Sequence, residues 1–499
     1  MSKISFGTDG WRALMYPTEH SRDEVLINEE TIRIVAQAFA DYLHNSKRRE
    51  IKIAIGFDGR KNSEFFGLVF AQVLSGNNIS VFLSDKICPT PLLSYFTKLN
   101  QLDAGVMITA SHNPPEYNGI KFKSSYGGPF LTEETLKVEE LLHKSEIREL
   151  LFPPESFRDK VNGNKESNNS PVQRSDFRTP YFEHLKEYID FKKIHESKLS
   201  VLVDSMGGAG ECMIEELLGG YPDSGLEVKT IFSPADESFY GRLAEPIKKN
   251  LIPLTDLLAN GNYSIGVATD GDADRLGVML DNGDWLSAQE TILLLTDYIV
   301  NGKGIKGHIV KTSSVTDKIT GLFASDRRKV FDVQVGFKYI CEKMIEEDVA
   351  FGGEESGGFG FKNHIPERDG VLSALIFIEM LAYSPFTKLS DYVNHKRKEF
   401  GLIYYNRIDH HYYGTDRESK LPELQKNLPG TIGNYKVKSS QSFFGSHNNI
   451  NGIKFYLEGN PRWLLLRSSE TEPMFRFYAE GENDPEVQEL LEAGKKLIG

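Results

Sequence analysis

Ile51-Lys52-Ile53-Ala54-Ile55-Gly56-Phe57-Asp58-Gly59-Arg60 is a short apolar run that stops at a charged, glycine-containing turn. Its length and β-branched content predict a buried strand, and the polar break marks its carboxyl end. Upstream, Ile32, Val35, Phe39 and Leu43 recur at helical spacing after Asn28, a good N-cap residue, so a helix is expected over Asn28 to Leu43. Downstream, a second helical pattern runs to about Leu74, and Ile79 to Leu83 and Ala104 to Ile108 read as further strands. This alternation predicts an α/β fold. The same unit restarts at Val201 to Asp204, which runs into Ser205-Met206-Gly207-Gly208-Ala209-Gly210, and again at His308 to Thr312. Three related α/β units follow, with ligands expected at the carboxyl ends of their strands.

The remainder of the chain departs from this pattern. Between Phe152 and Pro180 it is rich in Pro, Asn, Ser and charge, which predicts an exposed linker. In the last hundred residues, extended segments at Trp463 to Leu466 and Phe475 to Ala479 precede a final helix with Asp484 as N-cap and Pro485 at its first position. A smaller α+β domain is expected there. A chain of 499 residues exceeds one hydrophobic core, in keeping with several domains. With 39% hydrophobic and 26% charged residues it reads as globular, and a formal charge of −13 argues against non-specific nucleic-acid binding. Cys88, Cys212 and Cys341 are widely separated, so neither a disulfide framework nor a cysteine metal site is expected, and a cytoplasmic setting fits. No apolar stretch of spanning length occurs, and the first residues do not read as an export signal.

Four segments carry chemistry. Thr109-Ala110-Ser111-His112-Asn113-Pro114 leads on to Lys121 directly after an apolar strand, which places a serine hydroxyl on an exposed loop with two proton-transfer groups close in sequence; a turn with a capping serine fits equally well. In Asp270-Gly271-Asp272-Ala273-Asp274-Arg275, carboxylates at alternate positions of an extended backbone point to one side and can meet one divalent cation. Oxygen ligands alone favour magnesium over zinc, an EF-hand is disfavoured by Arg275 at its glycine position, and purely solvated acids are the competing explanation. Gly352-Gly353-Glu354-Glu355-Ser356-Gly357-Gly358 offers hydroxyl-reading acceptors at Glu354 and Ser356, although a flexible acidic turn explains it as well. Finally, Arg467-Ser468-Ser469-Glu470-Thr471-Glu472-Pro473-Met474-Phe475-Arg476 places two guanidiniums and three hydroxyls where they can cradle a phosphate, unless the arginines pair with Glu470 and Glu472. Together the four describe phosphoryl transfer to a sugar.

With its opening Phe6-Gly7-Thr8-Asp9-Gly10-Trp11-Arg12 and these four segments in order, the chain resembles the α-D-phosphohexomutases over nearly its whole length. The resemblance implies four domains in a heart-shaped arrangement, here drawn at 1–178, 179–288, 289–400 and 401–499. It implies that Ser111 carries a phosphoryl group and that Asp270, Asp272 and Asp274 bind Mg2+ together with it. Arg12, Lys121 and Arg275 would flank the transferring group, with Lys121 the first choice as general acid/base and His112 the second. Gly336, Lys338, Glu354 and Ser356 would contact the sugar, and Arg467, Ser469, Thr471 and Arg476 the non-reacting phosphate. Gly336-Phe337-Lys338, Gly353-Glu354-Glu355-Ser356 and His364-Ile365-Pro366-Glu367-Arg368-Asp369-Gly370 are more similar to glucose-specific members than to dual glucose/mannose members, and Gly358 stands where many dual-specificity and glucosamine-specific members place histidine. The expected activity is therefore phosphoglucomutase, with glucose 1,6-bisphosphate as intermediate. Phosphomannomutase or dual-specificity action, a serine-dependent sugar phosphatase and a silent sugar-phosphate sensor are the alternatives, and monomer and homodimer both remain open.

Overall fold

In the computed structural model four sheets follow one another along the chain, described for residues 4–7, 9–17, 25–46, 50–150, 172–219, 224–445, 449–469 and 473–499. The residues group into two compact units, one of Met1–Leu286 and Gly357–Tyr392, the other of Ser287–Ser356 and Val393–Gly499.

In the first unit, β1 (Trp11–Leu14), β2 (Lys52–Phe57), β3 (Ser80–Ser84), β4 (Ala104–Ile108), β5 (Tyr117–Ser124) and β6 (Val172–Ser175) lie in the order β1-β5-β4-β2-β3-β6. The central β4, β2 and β3 are parallel, whereas β5 runs antiparallel to β4 because the serine loop turns the chain straight back. The helix Glu29–Ser46 is capped as its sequence indicates, with Thr31 N–H donating to Asn28 Oδ1 at 3.0 Å. A second sheet holds β7 (Ser200–Asp204), β8 (Glu227–Ile231), β9 (Ile265–Thr269), β10 (Leu276–Leu280) and β11 (Trp285–Leu286) in the order β11-β10-β9-β7-β8. Parallel β7, β8 and β9 are followed by an antiparallel hairpin return from β9 to β10.

In the second unit β12 (His308–Thr312) pairs in parallel with β13 (Val330–Val333) on one side and β14 (Val349–Gly353) on the other. The chain then passes through β15 (Phe359–Phe361) and the helix Gly370–Tyr383, both grouped with the first unit. The second unit resumes in an antiparallel sheet of β16 (Tyr404–His411), β17 (Thr431–Ile432), β18 (Tyr435–Phe444), β19 (Ile450–Leu457), β20 (Trp463–Ser468) and β21 (Met474–Gly481), ordered β16-β21-β20-β19-β18-β17. One face of this sheet carries Phe455, Leu464, Leu466, Phe475 and Phe477, which build a core with the final helix.

Two expectations need correction. The cap of the last helix is Asn483, whose side chain accepts from Glu486 N–H at 3.0 Å; Asp484 and Pro485 occupy its first turn, since either acidic or amide oxygen can cap and the backbone turns one residue earlier. Of the stretch read as a linker, residues 151–171 lie outside the described residues, but Val172–Ser175 is a strand paired with β3 and Arg178 opens a helix. Ladder pairing with β3 supplies what the short polar segment lacks in apolar pattern.

Strand β5 shows how the fold serves chemistry. Ile120 and Phe122 face the core, and the Phe122 ring stacks on Phe39 with centroids 4.4 Å apart, so by the period of two Lys121 and Lys123 emerge on the opposite face. Phe122→Ala is expected to destabilise the first unit by about 3–5 kcal/mol, read from its denaturant unfolding transition; a change within experimental error would remove this ring from the core.

Candidate active site

The serine loop leaves β4 at Ile108 and is held from below by one buried ion pair. Asp58, at the end of β2, accepts from Arg60 Nε at 3.1 Å, Ser63 Oγ at 2.6 Å and Thr109 Oγ1 at 2.6 Å. Thr109 Oγ1 in turn accepts from Ser111 N–H at 2.8 Å. The Arg60 guanidinium donates to the carbonyls of Ser111, Asn113, Pro114 and Tyr117 at 2.6–3.1 Å. Four carbonyls converging on one planar cation fix the loop's path. Ser111 itself is buried with φ +54, a backbone conformation that side chains other than glycine seldom adopt and that is characteristic of functional loops.

The second loop follows β9. Asp270, Asp272 and Asp274 are fully buried, and their oxygens approach within 4.8 Å of one another. Ser111 Oγ donates to Asp270 Oδ2 at 3.1 Å, which brings the two loops together. Gly271 is required at this contact, because a Cβ there would sit 2.3 Å from the Ser111 carbonyl oxygen. Asp270 Oδ1 accepts from the N–H groups of Asp274 and Arg275 at 2.9 and 3.1 Å.

Such a cluster of carboxylates needs cations. Lys121 Nζ donates to Asp272 Oδ2 at 2.8 Å and Asp274 Oδ2 at 2.9 Å, and lies 2.9 Å from Asp9. Arg368 donates to Asp274 Oδ2 at 2.7 Å and to Asp9. Thr90 donates its hydroxyl to Asp272 Oδ2 at 2.5 Å and its N–H to the Asp272 carbonyl at 3.0 Å. Behind them Lys123 and Glu367, both buried, pair at 2.5 Å. Arg275 Nε stands 4.0 Å from Asp270 and 3.9 Å from Asp274, while Arg12 donates to Asn113 Oδ1 at 2.9 Å.

These surroundings shift the titratable groups in opposite directions. Burial and the repulsion of Asp274 and Asp272 hold the Asp270 carboxyl well above the ordinary range. Burial would also raise Asp272, but Lys121 overrides it and the carboxyl lies below that range. Burial would lower Lys121, yet Asp272, Asp274 and Asp9 raise it, so its ammonium is retained. His112, whose Nδ1 is 3.4 Å from Ser111 Oγ, is lowered by burial and then by Arg275, Arg12 and Lys121, which leaves it neutral near pH 7.

The donor set fits a divalent cation. Among the described residues, Asp272 Oδ1 and Asp274 Oδ1 are buried without hydrogen-bond partners, while the other oxygen of each is occupied by a cationic or hydroxyl donor. Buried, hard, unsatisfied oxygens of this kind suit Mg2+.

The remaining candidates lie in the second unit. Glu354 follows β14 and accepts from Ser356 Oγ at 2.6 Å. Gly336, with φ +133, precedes the helix Phe337–Glu346, whose first turn carries buried Lys338. Arg467 on β20 and Arg476 on β21 are direct cross-strand partners, and Arg467 Nε is buried with no hydrogen-bond partner among the described residues. Arg476 Nε also lies 3.8 Å from Asp409, which offsets part of the repulsion between these facing like charges. Thr471 lies outside the described residues. Ser469 is buried, and its carbonyl accepts from Arg417 at 2.7 Å.

Sequence reading missed Arg60, Thr90, Arg368 and Arg417. Asp58-Gly59-Arg60 at a strand's carboxyl end was a usable signal; Thr90 and Arg417 carry none. Thr90→Val should weaken Mn2+ binding by about 10–100-fold, as loss of a carboxylate's outer partner does, measured by electron paramagnetic resonance of free Mn2+; unchanged affinity would dissociate Thr90 from the cation site.

Comparison with known proteins supplies the family. Models of the phosphoglucomutase/phosphomannomutase α/β/α domains I, II and III match residues 3–149, 179–283 and 287–400. A phosphoglucomutase/phosphomannomutase from Thermococcus kodakarensis is 29% identical over 100% of this chain and 99% of its own. A phosphoglucosamine mutase from Methanocaldococcus jannaschii is 30% identical over 90% and 91%. A solved chain from Thermus thermophilus, provisionally assigned as a phosphomannomutase, superposes with TM-score 0.80 at 29% identity, covering 100% of both chains. The chain therefore belongs to the phosphoglucomutase/phosphomannomutase family, the α-D-phosphohexomutases.

Proposed function

We propose that the protein is a phosphoglucomutase that interconverts glucose 1-phosphate and glucose 6-phosphate through phospho-Ser111 and glucose 1,6-bisphosphate. The observation that carries this reading is the Ser111 hydroxyl bonded at 3.1 Å to a buried aspartate triad with two unsatisfied oxygens. Glucose is favoured over mannose and glucosamine by the resemblance of Gly353-Glu354-Glu355-Ser356 to glucose-specific members and by Gly358, which stands where many dual-specificity and glucosamine-specific members carry histidine. Glucosamine 1-phosphate is the second reading, supported by the relative named for that substrate.

In the proposed reaction the sugar's 6-hydroxyl oxygen attacks the phosphorus of phospho-Ser111. The bond from phosphorus to the Ser111 oxygen breaks as the bond to O6 forms, and the hydroxyl proton passes to the Ser111 oxygen. His112 Nδ1, 3.4 Å from that oxygen, is placed to relay it, and Lys121 stands behind as a proton donor whose ammonium is kept by three carboxylates. Asp270, Asp272, Asp274 and the Ser111 phosphoryl group would hold Mg2+, which supplies positive charge to the transferring oxygens. Arg12 and Arg275 stabilise the same charge. Arg467, Ser469, Thr471 and Arg476 hold the phosphate that does not react, and Glu354 and Ser356 read the ring hydroxyls. After the bisphosphate has turned over, the reverse transfer returns a phosphoryl group to Ser111.

Turnover of glucose 1-phosphate, mannose 1-phosphate and glucosamine 1-phosphate, with Mg2+ and a trace of the matching bisphosphate, tests the proposal. Rapid glucose 6-phosphate formation with little free phosphate is the expected result. Preference for glucosamine would replace the substrate, and release of phosphate alone would replace the activity with a phosphatase. Lys121→Ala should lower kcat by on the order of 100-fold or more, and undiminished turnover would remove it from the mechanism.

A further inference from the structure

Within the first unit, the helix Arg178–Tyr188 turns three hydrogen-bonding rings toward the segment that joins β15 to the helix Gly370–Tyr383. Tyr181, His184 and Tyr188 are three and four residues apart, so they share one face of their helix. Tyr188 donates to the Lys362 carbonyl at 2.9 Å, His184 Nε2 meets His364 Nδ1 at 2.9 Å, and Tyr181 donates to the two oxygens of Asp369 at 2.9 and 2.7 Å. A second helix, Thr90–Leu99, also holds this segment. Its Tyr95 ring stacks on His184 with centroids 4.6 Å apart, and its Lys98 donates to the His364 carbonyl at 2.6 Å. The same helix begins at Thr90, whose hydroxyl is on Asp272.

His364 completes the chain. Its side chain is buried, and Nε2 lies 2.8 Å from Asp369 Oδ2. Asp369 caps the following helix, accepting from Leu372 N–H at 2.8 Å, and it accepts from Tyr181, whose hydroxyl is held far above its ordinary range by burial and by Asp369. A carboxylate with these partners has only acceptor sites left, so His364 Nε2 donates to it, and one proton lies between His364 Nδ1 and His184 Nε2. Burial, then His364 and Lys98, bring His184 down to about 4 against the pull of Asp369, so its ring is neutral near pH 7.

The residues that this chain fixes adjoin the carboxylate triad. Arg368 donates to Asp274 Oδ2 at 2.7 Å, and Gly370 N–H donates to the Ala273 carbonyl at 3.0 Å. A Cβ on Gly370 would sit 2.5 Å from the Arg275 carbonyl oxygen, so the segment meets the aspartate loop with no spare room. Any tilt at Asp369 is therefore passed to the Arg368 guanidinium on one side and to the aspartate loop on the other.

We propose that His184 and His364 are positioning residues, which act through Asp369 to set the Arg368 guanidinium on Asp274 and so orient the aspartate oxygens toward the cation. This rests on the triad being the cation site, and not on which sugar is turned over.

Leucine and glutamine replacements separate hydrogen bonding from ring packing, since a glutamine amide both donates and accepts and leucine does neither. His364→Leu should weaken Mn2+ binding by about 10-fold, measured by electron paramagnetic resonance of free Mn2+, while His364→Gln should stay within about 2-fold of the parent. Should His364→Leu fold poorly, His184→Leu breaks the same chain at a partly exposed position. In a double-variant cycle, either leucine replacement should add nothing to the loss caused by Arg368→Gln, because it acts through that arginine. Equal weakening by leucine and glutamine, or additive losses in the cycle, would overturn the proposal. Hydrogen exchange of the full chain without metal, read by mass spectrometry, should show the Gly370 and Leu372 amides exchanging about 10-fold faster in the leucine variants and at the parent rate in the glutamine variant. Unchanged exchange in the leucine variants would also overturn it. If the parent binds no Mn2+, the cation-site reading fails, while the exchange measurement still decides whether the histidines hold the segment that carries Arg368.

Discussion

Three carboxylates confined within 4.8 Å and shielded from water form the constraint on which the first unit depends. Mutual repulsion at that separation is relieved by protonation or by nearby cations, and the fold brings the cations. Lys121 and Arg368 come from segments far apart in sequence and meet on Asp274, with Asp9 bridging them from the amino-terminal segment. Lysine and arginine occupy one oxygen each of Asp272 and Asp274, the serine hydroxyl donates to Asp270, and the second oxygens of Asp272 and Asp274 are left without hydrogen-bond partners among the described residues.

Backbone geometry makes that approach possible. The serine loop and the aspartate loop each leave the carboxyl end of a parallel strand and return in an antiparallel one, so each is a short hairpin with little freedom. Asp58 and Arg60 fix the first loop through its carbonyls, and Gly271 lets the second touch it. Neither loop would hold this conformation alone: Ser111 at φ +54 and Ala273 at φ +54 both sit where side chains are strained, and contacts on all sides keep them there.

Much of this was legible in the sequence because it is local. Strand β4 and the Asn28 cap depend on neighbours within a few positions and appear as expected, whereas Ser111 is buried rather than exposed and the alternate aspartates converge around a turn with Ala273 at φ +54 rather than along an extended backbone. What was not legible is long-range. Thr90 is an ordinary threonine until Asp272 lies beside it, and Arg417 is a helix surface residue until it reaches the Ser469 carbonyl. Lys454 reads as a polar residue on an exposed strand face, and only the docking of another sheet turns it into a buried ion. The strand at Val172 was hidden for a related reason, since its pattern is polar and its stability comes from pairing with β3.

The central claim is that Ser111 is the phosphoryl carrier beside the aspartate triad. Incubation with glucose 1,6-bisphosphate and Mg2+, followed by intact-mass and peptide-level mass spectrometry, tests it most directly. The account predicts one phosphoryl group per chain on Ser111, absent in Ser111→Ala and exchanged onto added glucose 1-phosphate. Phosphoryl uptake at another residue, or none at all in protein that binds the bisphosphate, would contradict it.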